Sequence, residues 1–337
     1  MAPEKALSLH RNEYYFEHSQ KVRAILDGPV PAEAVSTYAR RDLLDSFVQE
    51  LSSKLDVPCE RVNLYHGAED ALFKILSWAS GRQLTVHTTS LGWAEYMRMM
   101  QGFEIEVRQT PLIALEDHYE HPTDAFEKAL ADEQARALVL LASPNNPTGH
   151  DPTPEEIIRL ANRFPHHVFL VDRVYTEFAR ETFASLSRCE NIITLGSFSK
   201  FFGLPGLRVG FAIGKVPGLQ SMALGPGSWA LQICKAALDD CDYYRANWNL
   251  MAKMAVELQK IHTPAGRFMK TKAPFVLFRC CKNTREEDVR SAQSQAGVVG
   301  KIIFHGPEML VRWSLGSPEA FQRISDCIHH LEKRTSY

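Results

Sequence analysis

No stretch of this sequence approaches the ~18 consecutive apolar residues of a membrane span, and its first ten residues, MAPEKALSLH, lack the apolar core of a signal peptide. Charge of one sign is missing too. Thirty-eight Lys and Arg stand against 40 Asp and Glu, a formal net charge of −2, which leaves no electrostatic footprint for nucleic acid or an anionic membrane. Cysteine is sparse: seven residues, an odd number, scattered and without a CxxC pair. The one adjacency, Cys280-Cys281, would send its side chains to opposite faces of a strand. That usage fits a reduced, cytoplasmic setting rather than a disulfide framework. There is no internal repeat and no low-complexity linker. What is present is a chain of 337 residues, 45% apolar, enough for one extended domain or two ordinary ones held by their cores alone. A cytoplasmic globular enzyme or small-molecule-binding protein is expected, with no metal, nucleic acid or membrane among its partners.

The chemistry is concentrated between Thr194 and Gly210, TLGSFSKFFGLPGLRVG. Its single lysine, Lys200, follows hydroxyls at Ser197 and Ser199 and precedes Gly203, Gly206 and a lone arginine, Arg208. An amine so placed can form a Schiff base with a phosphorylated aldehyde, while the hydroxyls and the guanidinium hold the phosphate. The glycines let the backbone turn back so that Arg208 reaches the same anion. A strand ending in a surface lysine and a polar turn would carry the same residues, so the context must decide. Two other stretches supply it. Ser143-Pro144-Asn145-Asn146-Pro147-Thr148-Gly149 follows the apolar run 137–142, and Val171-Asp172-Arg173-Val174-Tyr175 ends the run 167–171.

An Asn in a Pro-fixed turn, an Asp and a Tyr one helix later and then the SxSK element, in that order, resemble the fold-type I pyridoxal-phosphate (PLP) enzymes. The similarity is to the histidinol-phosphate aminotransferase and threonine-phosphate decarboxylase branch, and covers roughly residues 12–331. The resemblance implies an α/β fold: a large domain with a mostly parallel seven-stranded sheet flanked by helices, plus a small C-terminal α+β domain. It divides the chain into an N-terminal arm at 1–30, a PLP-binding domain at 31–245 and a small domain at 246–337.

With the resemblance come a cofactor, PLP, and roles for residues. Lys200, Asp172 and Tyr175 are the implied catalytic set. Asp172 would keep the pyridine nitrogen protonated. Asn146 and Tyr175 would hydrogen-bond the ring oxygen, and Ser197, Ser199 and Arg208 the phosphate. Gly67-Ala68-Glu69 opens an apolar helix whose free N–H groups would cradle that phosphate. Tyr38 would reach it from the other subunit of a homodimer with a shared active site. Trp93, in a Gly92-Trp93-Ala94-Glu95-Tyr96 stretch similar to the decarboxylase's Gly-Phe-Ala-Glu-Tyr, would stack on the ring; a gap-free alignment puts Leu91 there instead. Arg312 would take the substrate α-carboxylate as a fork, with Asn146 and Phe16 beside it.

Two departures argue for a specialised amino-acid-like substrate rather than histidinol phosphate. In the arm, Asn12-Glu13 continues as Tyr14-Tyr15-Phe16, without the family's proline and with Phe16 where a tyrosine is usual. Arg173 replaces the Glu of Asp-Glu-x-Tyr, putting a positive side chain near the cofactor layer or on the surface. The expected function is amino transfer between an amino acid, or an amino-phosphate, and a 2-oxo acid. A PLP lyase, above all a decarboxylase, is the alternative; a non-catalytic effector-binding domain on the same fold is a third.

Local signals place these motifs. An apolar stripe of helical period runs from 42 to 55. Thr153, Pro154 and Glu156 spell a capping box. A mostly helical stretch covers 226–261, short strands follow at 273–280, 298–304 and 309–315, and a last helix starts at Ser317-Pro318. From Leu7 to about Pro31 the chain reads as irregular.

Overall fold

The runs LVLLA, VFLVD and IITLGS are apolar without alternation, the signature of strands covered on both faces. In the computed structural model, which describes residues 6–177, 180–215 and 225–335, they form adjacent parallel strands Leu138–Ala142, Val168–Asp172 and Ile192–Ser197. They sit in the middle of a seven-stranded sheet, in the order Val62–Tyr65, Gly210–Ile213, Ile192–Ser197, Val168–Asp172, Leu138–Ala142, Val86–Thr89, Val107–Thr110. Only Gly210–Ile213 runs against the others. Successive residues alternate between two cores: Leu138, Leu140 and Leu170 pack with the helix Ala68–Ser80, whereas Val139, Leu141 and Phe169 pack with Thr123–Ala131 and Pro154–Arg163. Helices on both faces leave the carboxyl ends of the strands as the open edge, where such sheets bind ligands.

The helix signals hold in detail. Thr153 Oγ1 accepts the Glu156 N–H at 3.2 Å, and Glu156 Oε2 accepts the Thr153 N–H at 2.7 Å, closing the box before Pro154–Arg163. The striped helix runs Arg41–Leu55 and stops at Asp56 in the left-handed region. The stretch expected to be helical to 261 breaks at Asp239-Asp240 into Ser228–Leu238 and Cys241–Gln259. The second of these carries the chain across position 246 into a five-stranded antiparallel sheet, ordered His262–Thr263, Gly266–Met269, Phe275–Cys280, Glu308–Ser314, Lys301–His305. Helices Glu286–Gln295 and Pro318–Thr335 pack together beside it. Among the described residues, no helix is long and apolar enough to cross a membrane.

The N-terminal arm is not irregular. Leu7–Ser8 pairs in parallel with Val298–Val299, Leu9 is wholly buried, and its carbonyl takes the Ser314 N–H at 2.8 Å. Ser19 then caps a short helix, Gln20–Leu26, that buries Val22. The arm lacks periodicity because it borrows its backbone partners from the C-terminal domain rather than making its own.

Candidate active site

The strand ends converge on a cavity of ≈ 930 Å³ bounded by both domains and the arm. Its anion end is built by a turn. Gly67, at φ 84°, leads into the helix Ala68–Ser80 with no side chain capping the first N–H groups, so these donors and the positive end of the helix dipole are free for an anion. A Cβ on Gly67 would lie 2.7 Å from an Arg208 guanidinium nitrogen, so glycine is what lets that guanidinium lie against the turn. Arg208 itself is left-handed, at φ 51° after the tight turn Pro205–Leu207, and one of its nitrogens is 3.3 Å from Glu69 Oε2. Ser197 and Ser199 line the same end, with Ser197 Oγ accepting the Ser199 N–H at 3.0 Å. These groups fit a phosphate monoester.

Opposite the sheet's middle strands lies Asp172, only 6% exposed. Its two oxygens accept from the Val174 N–H at 3.0 Å and the Tyr96 hydroxyl at 2.5 Å. Burial pushes its carboxyl above the usual carboxylate range, with those donors and the charge of Lys200 pulling the other way. Burial also pushes the Tyr96 hydroxyl well up, with Asp172 reinforcing it. A protonated ring nitrogen against Asp172 would answer that buried charge. Lys200 Nζ donates to the Asn12 carbonyl at 3.0 Å and lies 5.5 Å from the centre of the Tyr175 ring. The Tyr175 oxygen lies 3.1 Å from Asn12 Nδ2 and 3.2 Å from Asn146 Nδ2. Trp93 lines the cavity, edge-on to Tyr96 at 5.3 Å, while Leu91 packs in a separate cluster with Tyr119 and Met269.

At the far end Arg312 is 4% exposed. Its two terminal nitrogens donate to Asn146 Oδ1 and the His10 carbonyl, both at 2.5 Å; its Nε has no partner, and the guanidinium lies 5.6 Å from the Phe275 ring centre. A buried guanidinium on an open cavity is an acid-binding group.

The structure thus brings Lys200, Asp172, Tyr175, Asn146, Ser197, Ser199, Arg208, Ala68, Glu69, Trp93 and Arg312 to one cavity, with Gly67 behind Arg208. Three expectations change. Phe16 does not line it: the ring packs 5.6 Å from Tyr14 against the main core, and the arm faces the cavity with His10, Arg11 and Glu13 instead. The arm's register, set by Leu7 on Val298 and by Ser314 on Leu9 and Asn12, turns residues 14–16 inward. Arg173 is neither beside the cofactor layer nor on the surface. It is 5% exposed and clamps the turn before Asn146, with one nitrogen 2.5 Å from Ser143 Oγ and 3.4 Å from Asp151 and another 3.2 Å from Thr176 Oγ1. Tyr38 is 76% exposed and takes no part in the cavity of its own chain.

Sequence reasoning assigned no role to Asn12, Tyr96 or Lys301. Tyr96 was within reach, since it stands three residues after Trp93 on one helix face. Lys301 lines the cavity because it pairs directly opposite Arg312 on neighbouring strands. Asn12 sits at φ 54°, a conformation Asn tolerates better than most residues. Among the described residues no group of three or more His, Cys, Asp or Glu is placed to hold a metal ion.

Residues 4–283 match the family model of aminotransferase class I and II. A histidinol-phosphate aminotransferase of Pasteurella multocida is 28% identical over 292 residues, 82% of this chain and 78% of the relative. One of Caldanaerobacter subterraneus subsp. tengcongensis is 26% identical over 337 residues, 95% of this chain and 91% of the relative. Among solved structures, the histidinol-phosphate aminotransferase of Sinorhizobium meliloti in complex with pyridoxal-5'-phosphate has a TM-score of 0.78 at 20% identity, covering 98% of this chain and 92% of that one. The L-threonine-O-3-phosphate decarboxylase of Porphyromonas gingivalis has 0.77 at 20% identity, covering 98% and 100%. Those identities speak for the fold, and the family match for the class of chemistry: the chain belongs to the aminotransferase class I and II family and is a PLP-dependent aminotransferase.

Proposed function

We propose that this cavity transfers an amino group between an amino acid, or an amino-phosphate, and a 2-oxo acid, through Lys200. The observation that carries the proposal is the buried Arg312, oriented by Asn146 and the arm, sharing the cavity with Lys200. PLP, when bound, supplies an electron sink for charge developing at the substrate Cα. The chain's residues do the rest. The turn at Gly67 with Ser197, Ser199 and Arg208 anchors a phosphate, Asp172 holds a proton on the ring nitrogen, and Tyr175 and Asn146 face the ring oxygen. Arg312 takes the substrate carboxylate, and Lys200 Nζ carries the proton taken from Cα. Lys301, opposite Arg312, is a second cation at this end, its ammonium pushed down by burial and by Arg312. It favours a substrate with a second anionic group.

The direct test offers a panel of amino acids to the PLP-loaded protein with no oxo-acid acceptor. One of them is expected to yield about one equivalent of its oxo acid per site, with loss of the visible absorbance band. Carbon dioxide release with the band retained would instead make the protein a decarboxylase, the reading that the Trp93 stretch supports.

The chain acts as a homodimer in this proposal, Tyr38 of each subunit reaching the partner's phosphate site. Its exposure is what such a role requires. Tyr38→Phe should weaken PLP retention about tenfold, the worth of one hydrogen bond to a charged group. Gel filtration with cofactor absorbance checks this; an active, PLP-saturated monomer would end the shared-site proposal.

A further inference from the structure

The Tyr175 hydroxyl is flanked by two amides whose orientations are set by other groups. Asn146 Oδ1 receives Arg312 Nη1 at 2.5 Å, and a guanidinium can only donate, so the atom that Asn146 turns to Tyr175 is its NH₂. Asn12 Oδ1 lies 3.0 Å from Ser314 Oγ and its Nδ2 3.1 Å from the Tyr175 oxygen. Ser314 Oγ receives the Asn12 backbone N–H at 2.8 Å and has one proton to give. Two acceptors compete for it, the Leu9 carbonyl at 2.8 Å and Asn12 Oδ1. Leu9's carbonyl already holds the Ser314 N–H, so the hydroxyl proton falls to Asn12 Oδ1. That fixes the sense of the Asn12 amide.

A phenol oxygen has two lone pairs and one proton. With the amides of Asn12 and Asn146 donating to both lone pairs, Tyr175 keeps only its proton to offer, and the cavity is where it is offered. We propose that Asn12 is a positioning residue for the reaction: its side chain, held by Ser314, commits Tyr175 to donating its hydroxyl proton into the cavity, to the phenolic oxygen of the cofactor. The proposal rests on the assignment of PLP to this cavity. It also gives the arm a task. Asn12 ties Ser314, on a strand of the C-terminal sheet, to Tyr175 and Lys200 of the large domain, so the placement of one domain sets the hydrogen bonding in the other.

The test is spectroscopic and uses Asn12→Gly, which removes the amide while keeping a left-handed backbone at no steric cost and the carbonyl that Lys200 uses. The quantity read is the pH midpoint of the visible absorbance band of the PLP-loaded protein. A donor on the cofactor's phenolic oxygen stabilises its anionic form, so losing the donor lets the proton stay to higher pH and the midpoint rises. A rise of about one pH unit is expected in Asn12→Gly. A smaller rise in the same direction is expected in Ser314→Ala, and the double variant should rise no further than Asn12→Gly alone. The other charged or titrating groups around Tyr175 are Lys200, Asp172 with Tyr96, Lys301 and Arg312, and none is altered in these variants. Tyr175→Phe is the reference and should raise the midpoint at least as far. If Tyr175→Phe moves the midpoint and Asn12→Gly leaves it fixed, whatever the change in Tm, Asn12 is structural only and the proposal is overturned. If Tyr175→Phe itself moves nothing, the assignment of the cavity to PLP fails first, and this inference with it.

Discussion

Lys200→Ala abolishes turnover, by about 10⁴-fold or more, and leaves no cofactor that borohydride can fix to the chain. The size of the effect follows from one side chain having two tasks, covalent attachment and proton transfer. The fold loses little. Lys200 Nζ contributes hydrogen bonds to two arm carbonyls, at 3.0 Å from Asn12 and 3.5 Å from Arg11, and an aliphatic stem beside Tyr175. Removing a partly exposed lysine of that kind changes stability by about 1 kcal/mol or less. Thermal unfolding of the cofactor-free variant therefore stays near the wild type while activity vanishes, which separates chemistry from folding. The cavity also holds Lys301, and it provides the control. Lys301 sits on the C-terminal sheet opposite Arg312, so Lys301→Ala should keep the borohydride-fixed cofactor and lose affinity for the anionic substrate. Fixation that survives in Lys200→Ala and disappears in Lys301→Ala would reverse the assignment of the two lysines.

What the sequence made legible in this site were the groups attached to strand ends. Asp172, Ser197 and Asn146 each follow an unbroken apolar run, and burial of such a run places the residue after it at the open edge of a parallel sheet. The capping box was legible for a related reason, since both partners of each bond lie within four residues. The residues that escaped are positioned by pairings distant in sequence. Lys301 meets the cavity only because its strand pairs in register with that of Arg312. Phe16 leaves it because Leu7 pairs with Val298, fixing which arm residues face inward. Arg173 was ambiguous because a long side chain beside the cofactor layer can swing either way, and its direction is settled by Ser143 and Asp151 in a loop elsewhere in the chain. Asn12 combines both problems, an unpatterned arm and partners at Ser314 and Tyr175.

Asp172→Asn is expected to move stability and activity in opposite directions. In the cofactor-free protein Asp172 is almost fully buried, and burial raises its carboxyl above the ordinary range. The sign follows by linkage. A carboxyl whose folded value lies above its unfolded value binds more protons in the native state, so stability falls as pH rises from the unfolded value through the raised one. Above that window the ionised carboxylate is a net cost to the cofactor-free fold. Asparagine removes the cost and fits the contacts: its Oδ1 can accept the Val174 N–H as Asp172 does now, and its NH₂ can donate to the Tyr96 oxygen. Cofactor-free Asp172→Asn should therefore unfold at a higher Tm than wild type at neutral pH, with the difference closing as pH falls below the carboxylate range. With PLP bound the order reverses. The neutral amide offers no counter-charge to a protonated ring nitrogen, the electron sink weakens, and kcat falls by about 10³-fold or more. Added PLP should raise the Tm of wild type by more than that of the variant, because binding to the native state stabilises in proportion to affinity. Wild-type kcat in Asp172→Asn would remove Asp172 from the catalytic assignment. An Asp172→Asn protein less stable than wild type without cofactor would show that Tyr96 and Val174 already satisfy the carboxylate, with no bound cation required.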